Sequence, residues 1–328
     1  MFLNRGVKNQ SSKEKRFIKN KHGKTATSHI IFSNLLNEQK GGVKILVALL
    51  LPFLLGLTAL VVDAGLLYLT KCQLQTMADA GALAGAQDLI KTPSQALTNG
   101  KGFAYKNGNK SDTVTPTVIG KNKDNLKVDV SRNVDLLFAQ IFGIKSTAVK
   151  ATATATISPA GGATGVIPIG IENKTFVFGQ EYILKEGGGN GYCGNYGPLA
   201  LGGKGGNIYR ENLEKGYSGP LKVGDKVPTE TGNMVGPTNQ GLKLRIDSDP
   251  FSTCTTVKPG SKRIVIVPII HSFAVNGRKD VLIDGFAIFF VKSVHQGEVT
   301  GNFMQMVSGN TIPGTGQDFG LYNVRLTK

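Results

Sequence analysis

The sequence predicts an α+β protein: one N-terminal membrane-spanning helix that runs on into a helix-plus-antiparallel-sheet region, followed by a mainly β, Gly-rich domain. Three observations predict it. An apolar run from Ile45 to Thr70 is interrupted only by Asp63. Behind it, small residues repeat at helical spacing through Ala86. Beyond that, short segments alternate apolar and polar residues with a period of two, which is strand-like.

Composition narrows the classes open to the chain. Apolar content of 40% and charged content of 18% fit a folded protein. The net charge of +16 would suit a nucleic-acid partner. However, residues 1–44 hold eight Lys and two Arg against two Glu, so about half of the excess lies in a short basic leader. No helix-turn-helix, zinc-finger or RNA-recognition pattern accompanies it, and no nucleic-acid partner is expected.

Residues 45–70 are long enough to cross a bilayer with some tilt. Pro52 and Gly56 would weaken a soluble helix but are tolerated in lipid. Lys40 and Lys44 abut the N-terminal end, whereas only Lys71 closely flanks the other. The positive-inside rule therefore keeps residues 1–44 in the cytoplasm and sends residues from about 71 outside the cytoplasmic membrane. The apolar run is too long for a cleaved signal peptide, so a single-pass signal anchor is expected. Asp63 falls roughly 27 Å past Ile45 at helical rise, near the outer interface. There its carboxylate either snorkels to headgroup water or meets an amine of another subunit.

After the span, Ala78, Ala82 and Ala86 recur at i, i+4 and i+8, and Gly81 and Gly85 form a G-x-x-x-G pair on the adjacent strip. Such a strip lets another backbone approach closely. Two surfaces could use it: the chain's own sheet or a partner helix. One helix could continue to about Lys91, since no Pro occurs between Pro52 and Pro93.

In the outer region (71–157), TVTPTVI (113–119) and NLKVDVS (125–131) read as strands. DLLFAQIFG (135–143) reads as a short helix closing at Gly143. AVKATATATIS places Val149, Ala151, Ala153, Ala155 and Ile157 on one small apolar face, suited to a closely packed helix. SPAGGATG (158–165) reads as a linker to a β-rich domain, 166–328. Its strands are expected at 175–178, 181–185, 263–270, 281–294 and 302–307, with Pro268 marking an edge or a strand end. A disulfide is expected between Cys193 and Cys254; the alternative is two unpaired thiols. It would close a loop worth roughly 4 kcal/mol by ideal chain entropy. Cys72 is left over.

The residues KGG (40–42), VDAG (62–65), LQTMADAGALAGA (74–86) and FAYKNG (103–108), with a Pro-containing apolar span between, together resemble the TadE/TadG-like proteins of tight-adherence (Flp-type) pilus assembly. The resemblance is most specific over about 40–90 and implies a bitopic chain with a pilin-like architecture outside the membrane. It implies a role as minor pilin or assembly component, not as an enzyme, with other pilus-assembly or pilin-like subunits as partners. Asp63 and Gly65 match the family's D-x-G, and Asp79 with Ala80 its D-A element. The chain departs from a processed prepilin, since no Glu stands at the fifth position after Gly42. It also lacks the full D-x-S-x-S metal motif of larger relatives: Asp129-Val130-Ser131-Arg132-Asn133 has no second Ser.

No catalytic, cofactor or metal residues are expected. Gly189-Asn190-Gly191-Tyr192-Cys193-Gly194 fits G-x-G-x-x-G, but no helix start follows it. The competing reading is a membrane-anchored ligand-binding protein or enzyme acting at the cell wall. In it, Tyr192, Tyr196, Tyr209 and Tyr217 line a groove and convergent carboxylates supply the chemistry; scattered candidates are Glu211, Glu214, Asp225 and Asp247.

Overall fold

A computed structural model describes residues 39–186, 197–275 and 277–327. The chain divides into two compact units, Met1–Val62 and Asp63–Lys328. Residues 1–38 of the basic leader, the G-x-G-x-x-G stretch, Tyr192, Cys193 and Tyr196 lie outside the described residues.

The first long element is helix α1, Gln39–Ala86, with Pro52 inside it. In the first unit, residues 42–62 are exposed on every side apart from half-buried Ala59. Among the described residues, one helix is long and apolar enough to cross a membrane, and it contains this stretch. A helix apolar all round and uncovered by protein is what lipid, not water, stabilises.

In the second unit the remainder of α1 is amphipathic in a different sense: one face, two large residues followed by small ones, is fully covered. Leu74, Met77, Ala78, Ala82 and Ala86 pack on β1 (Thr113–Ile119), β2 (Asn125–Asp135) and β3 (Ser146–Ala163) through Val114, Leu126, Val128, Val130, Ala151, Ala153 and Ala155. The α1 helix ends in a 3-10 turn, Gln87–Ile90. Helix α2, Pro93–Lys106, follows; Thr92 caps it by accepting the Gln95 N–H at 3.3 Å, with Pro93 in its first turn. That start signal was readable, although the sequence reading assigned no helix there.

The strands β1, β2 and β3 pair antiparallel in sequence order. Residues 158–163, read as linker, continue β3, which pairs along that end with β12 (Thr311–Pro313) and β6 (Leu221–Lys222). The helix expected over 135–143 shrinks to a 3-10 turn, Ala139–Phe142, because Asp135 still pairs with Ser146 in the sheet; Gly143 ends the turn with φ 84°, as expected. The C-terminal strand β13 (Leu321–Thr327) returns to pair with β3, with β11 (Met306–Val307) parallel beside it. The first sheet thus uses both ends of the second unit.

A second sheet runs β4 (Ile171–Glu172), β8 (Ile264–Ile270), β9 (Asp280–His295), β10 (Glu298–Met304) and β5 (Glu181–Lys185), and β7 (Lys226–Pro228) also pairs with β9. Residues 175–178 are irregular, not strand: Phe176 turns into the core, its ring 4.1 Å from that of Phe303, and the Val177 N–H is taken by the Tyr182 hydroxyl. The β8 strand continues past Pro268, whose position faces Phe286 of β9. Helices α3 (Gly206–Lys215) and α4 (Val235–Asp247) were not anticipated. The α4 sequence contains Gly236, Pro237 and Gly241, poor helix formers, and tertiary packing overrides that propensity. Leu242 and Thr238 are buried, the latter 3.2 Å from the Tyr209 hydroxyl of α3.

Candidate functional site

The strongest arrangement of residues surrounds Asp63, the first residue of the second unit. Its carboxylate turns inward instead of toward headgroup water or a partner's amine, and Asp63 is 4% exposed. Oδ1 accepts the Leu137 N–H at 2.8 Å, and Oδ2 accepts those of Phe138 at 3.0 Å and Ala139 at 2.7 Å. These are the unpaired donors at the start of the 139–142 turn, so a residue 74 positions earlier in sequence caps it. Charge-assisted bonds to three backbone amides make this a rigid clasp between α1 and the β2–β3 loop. The spacing of Asp63 within an apolar helix signalled a special carboxylate, but its acceptance of these loop amides was not readable.

Around the clasp the loop satisfies most of its own polar backbone. Leu136 donates to Lys145 O at 2.9 Å, Ile141 to Phe138 O at 3.1 Å, Gly143 to Gln140 O at 2.9 Å and Ile144 to Ala139 O at 3.2 Å. The Gln140 side-chain amide donates to Leu136 O. Gln140 and Gly143 are exposed, and the rest of the outward surface is apolar: Leu137 is 63% exposed, Phe138 40%, Ile141 81%, Phe142 84% and Ile144 53%.

The other residues singled out from the sequence lie elsewhere on α1. Gly65 is half-buried, with open space where a side chain would be. Asp79 is half-buried and accepts from Gln75 Nε2 at 2.8 Å, while Gln75 also donates to Thr152 O at 3.2 Å. Ala78, Ala82 and Ala86 are fully covered by the chain's own sheet. Gly81 and Gly85 face α2, where an added methyl would lie 2.8 Å from Gly100 O or 2.6 Å from Ala96 O. Ala96, Gly100 and Ala104 form the complementary small strip of α2, which the sequence reading missed despite the same i, i+4, i+8 spacing. The structure therefore occupies the small-residue surface internally.

The candidate carboxylates do not converge. Glu211 pairs with Lys215, Glu214 with Arg210 and Asp247 with Lys243, each one helical turn apart, and Asp225 accepts the Lys222 N–H. Tyr209 is buried in the core, whereas Tyr217 lines an open cleft of about 540 Å³ beside α3. Asp129 is held by Lys127 and Thr152, and Arg132 of the same stretch pairs with buried Asp112 at 2.7 Å. Cys254 is half-buried and bonded to no other described cysteine; its expected partner, Cys193, is outside the described residues.

Neither a curated protein nor a solved structure matches the chain. Residues 41–88 match a family described as putative Flp pilus-assembly TadE/G-like. That match covers the exposed apolar stretch, Asp63 and the small-residue strip, but not the loop that Asp63 holds. The chain therefore carries a Tad domain of the Flp pilus-assembly TadE/G-like family over residues 41–88.

Proposed function

We propose that this chain is a non-enzymatic, membrane-anchored component of a tight-adherence (Flp-type) pilus system, acting as a minor-pilin-like or assembly subunit. The observation that carries it is the overlap between the matched family segment, 41–88, and α1. One part of that helix is apolar and uncovered, while the other is built into a folded α+β unit. Such a chain works by association. The span holds it in the cytoplasmic membrane with its N-terminus inside, and the folded unit stands outside.

Because Ala78, Ala82 and Ala86 are spent on the chain's own sheet, partner subunits meet other surfaces, first of all the uncovered face of residues 43–62. The cell-wall enzyme alternative would need convergent carboxylates; the candidates are instead tied into local pairs.

Site-specific photo-crosslinkers at Leu54 and Leu57, in the full chain expressed in its host, test the reading. Adducts with pilus-assembly membrane proteins are expected, with none from a probe at exposed Phe251. A deletion strain that still assembles pili, with no such adducts, would overturn it.

A further inference from the structure

We infer that the β2–β3 loop, Leu137–Ile144, is a second membrane-contact element: it dips its apolar side chains into the bilayer interface at the mouth of the span, and Asp63 holds it there. This rests on reading Val43–Val62 as a membrane span. That stretch of about 20 residues is some 30 Å long at helical rise, enough for a hydrocarbon core. Asp63 follows Val62 in the same helix, so its depth at the membrane surface is fixed to within about a residue's rise.

Three observations place the loop at that surface. First, its backbone is clasped directly to Asp63. Second, it is the Asp63 end of the first sheet. Moving along α1 away from Asp63, Lys71 Nζ donates to Lys150 O and Gln75 Nε2 to Thr152 O, so β3 advances alongside the helix and its start at Ser146 lies nearest Asp63. Third, the composition changes there: five exposed apolar side chains stand together, and exposed Lys145 follows Ile144. An uncovered cluster of this kind marks a contact surface.

The chemistry of the cluster favours lipid as its occupant. Where water is scarce, backbone polar groups must be satisfied within the protein. Here the N–H groups of Leu136, Leu137, Phe138, Ala139, Ile141, Gly143 and Ile144 all have partners inside the chain. The loop's one polar side chain, Gln140, is on an exposed residue and donates its amide back to Leu136 O. The Lys71, Lys145 and Lys150 side chains, all on exposed residues of this end, suit anionic phospholipid headgroups. Insertion is shallow, about 5–10 Å, as for interfacial segments generally.

The chain contains no Trp, so a single introduced Trp reports its own site. Full-length Phe142→Trp, Leu50→Trp and Phe251→Trp variants are reconstituted alone into phosphatidylethanolamine/phosphatidylglycerol vesicles. The emission of the Phe142→Trp variant should shift to the blue relative to Phe251→Trp. Lipids brominated near the ester end of the acyl chain should quench it more than lipids brominated near the methyl end. A water-like emission without bromolipid quenching overturns the inference. So does a blue shift without bromolipid quenching, which assigns the cluster to a second copy or another protein surface. The Leu50→Trp variant separates the two layers of the argument: if bromolipids quench it but not the Phe142 reporter, the loop proposal falls and the span stands. If neither is quenched, the span reading itself falls.

Discussion

Gly65 and Gly85 sit in the same helix, yet one added methyl group should move stability in opposite directions at the two positions. At Gly65 nothing lies within 4 Å of a built Cβ. Alanine there gains only its helical advantage over glycine, about 0.5–1 kcal/mol. At Gly85 the same Cβ falls 2.3 Å from Leu126 Cδ2, 2.6 Å from Ala96 O and 2.9 Å from Gly100 Cα. The Leu126 methyl can rotate away, but the other two atoms are α2 backbone, so the whole helix must retreat. Retreat also loosens the Gly81 crossing and the burial of Ala96, Gly100 and Ala104. Overpacking of this kind costs about 1–3 kcal/mol, and rigid neighbours place it near the upper end. After the helical gain is subtracted, Gly85→Ala should be destabilised by about 2 kcal/mol, roughly 3 kcal/mol from Gly65→Ala. With a urea slope of about 3 kcal/mol/M, the two unfolding midpoints should differ by about 1 M. The assay is urea unfolding of the full chain in detergent micelles, followed by far-UV circular dichroism. Midpoints that shift together, in either direction, would refute the close α1–α2 crossing.

Three further outcomes follow from the structure. Ala82→Leu places a large side chain where no space is left, so it should lower folding stability by about 1–3 kcal/mol before any effect on partner binding appears; a stably folded variant that fails only in subunit pull-down would contradict the internal packing. Burial pushes the Lys185 ammonium down from 10.5 to about 8. Between those values the unfolded chain binds a proton that the folded chain has lost, so this group's penalty is full below pH 8 and is relieved as pH rises toward 10.5. The wild type should therefore gain up to about 3 kcal/mol relative to Lys185→Met across that window, and parallel pH profiles of urea midpoints would exclude it. We also propose the Cys193–Cys254 disulfide, which makes Cys193→Ser migrate more slowly than wild type on a non-reducing gel; identical migration removes the pairing.

Much of the architecture was legible because it is local. Hydropathy over a long window marks the exposed apolar part of α1, and period-two alternation marks β1, β2 and the first half of β3. The misses have equally specific causes. The glycines of 158–163 look like linker, yet they are paired in β3 because close neighbours need them: an added Cβ on Gly161 would lie 2.8 Å from Gly314 Cα. The α4 helix carries a Pro and two Gly and is held by burial of Leu242 and Arg245, which no local pattern announces. TFVF has strand composition, but the first of its two phenylalanines, Phe176, is needed in an aromatic cluster with Tyr182, Phe303 and Phe319.

By itself the sequence determined that an uncharged helix of membrane length leads, by way of Asp63, into a small-residue strip, because the continuous apolar run and the i, i+4 spacing are both local signals within one helix. Only the tertiary structure decided what each feature meets. The alanines find the chain's own sheet, the glycines find α2, and the carboxylate finds amides 74 to 76 residues away. The last strand closes against β3, with Val324 opposite Ile157. Contacts across such separations depend on chain topology and on which surfaces exclude water together, and neither is written in any local stretch of residues.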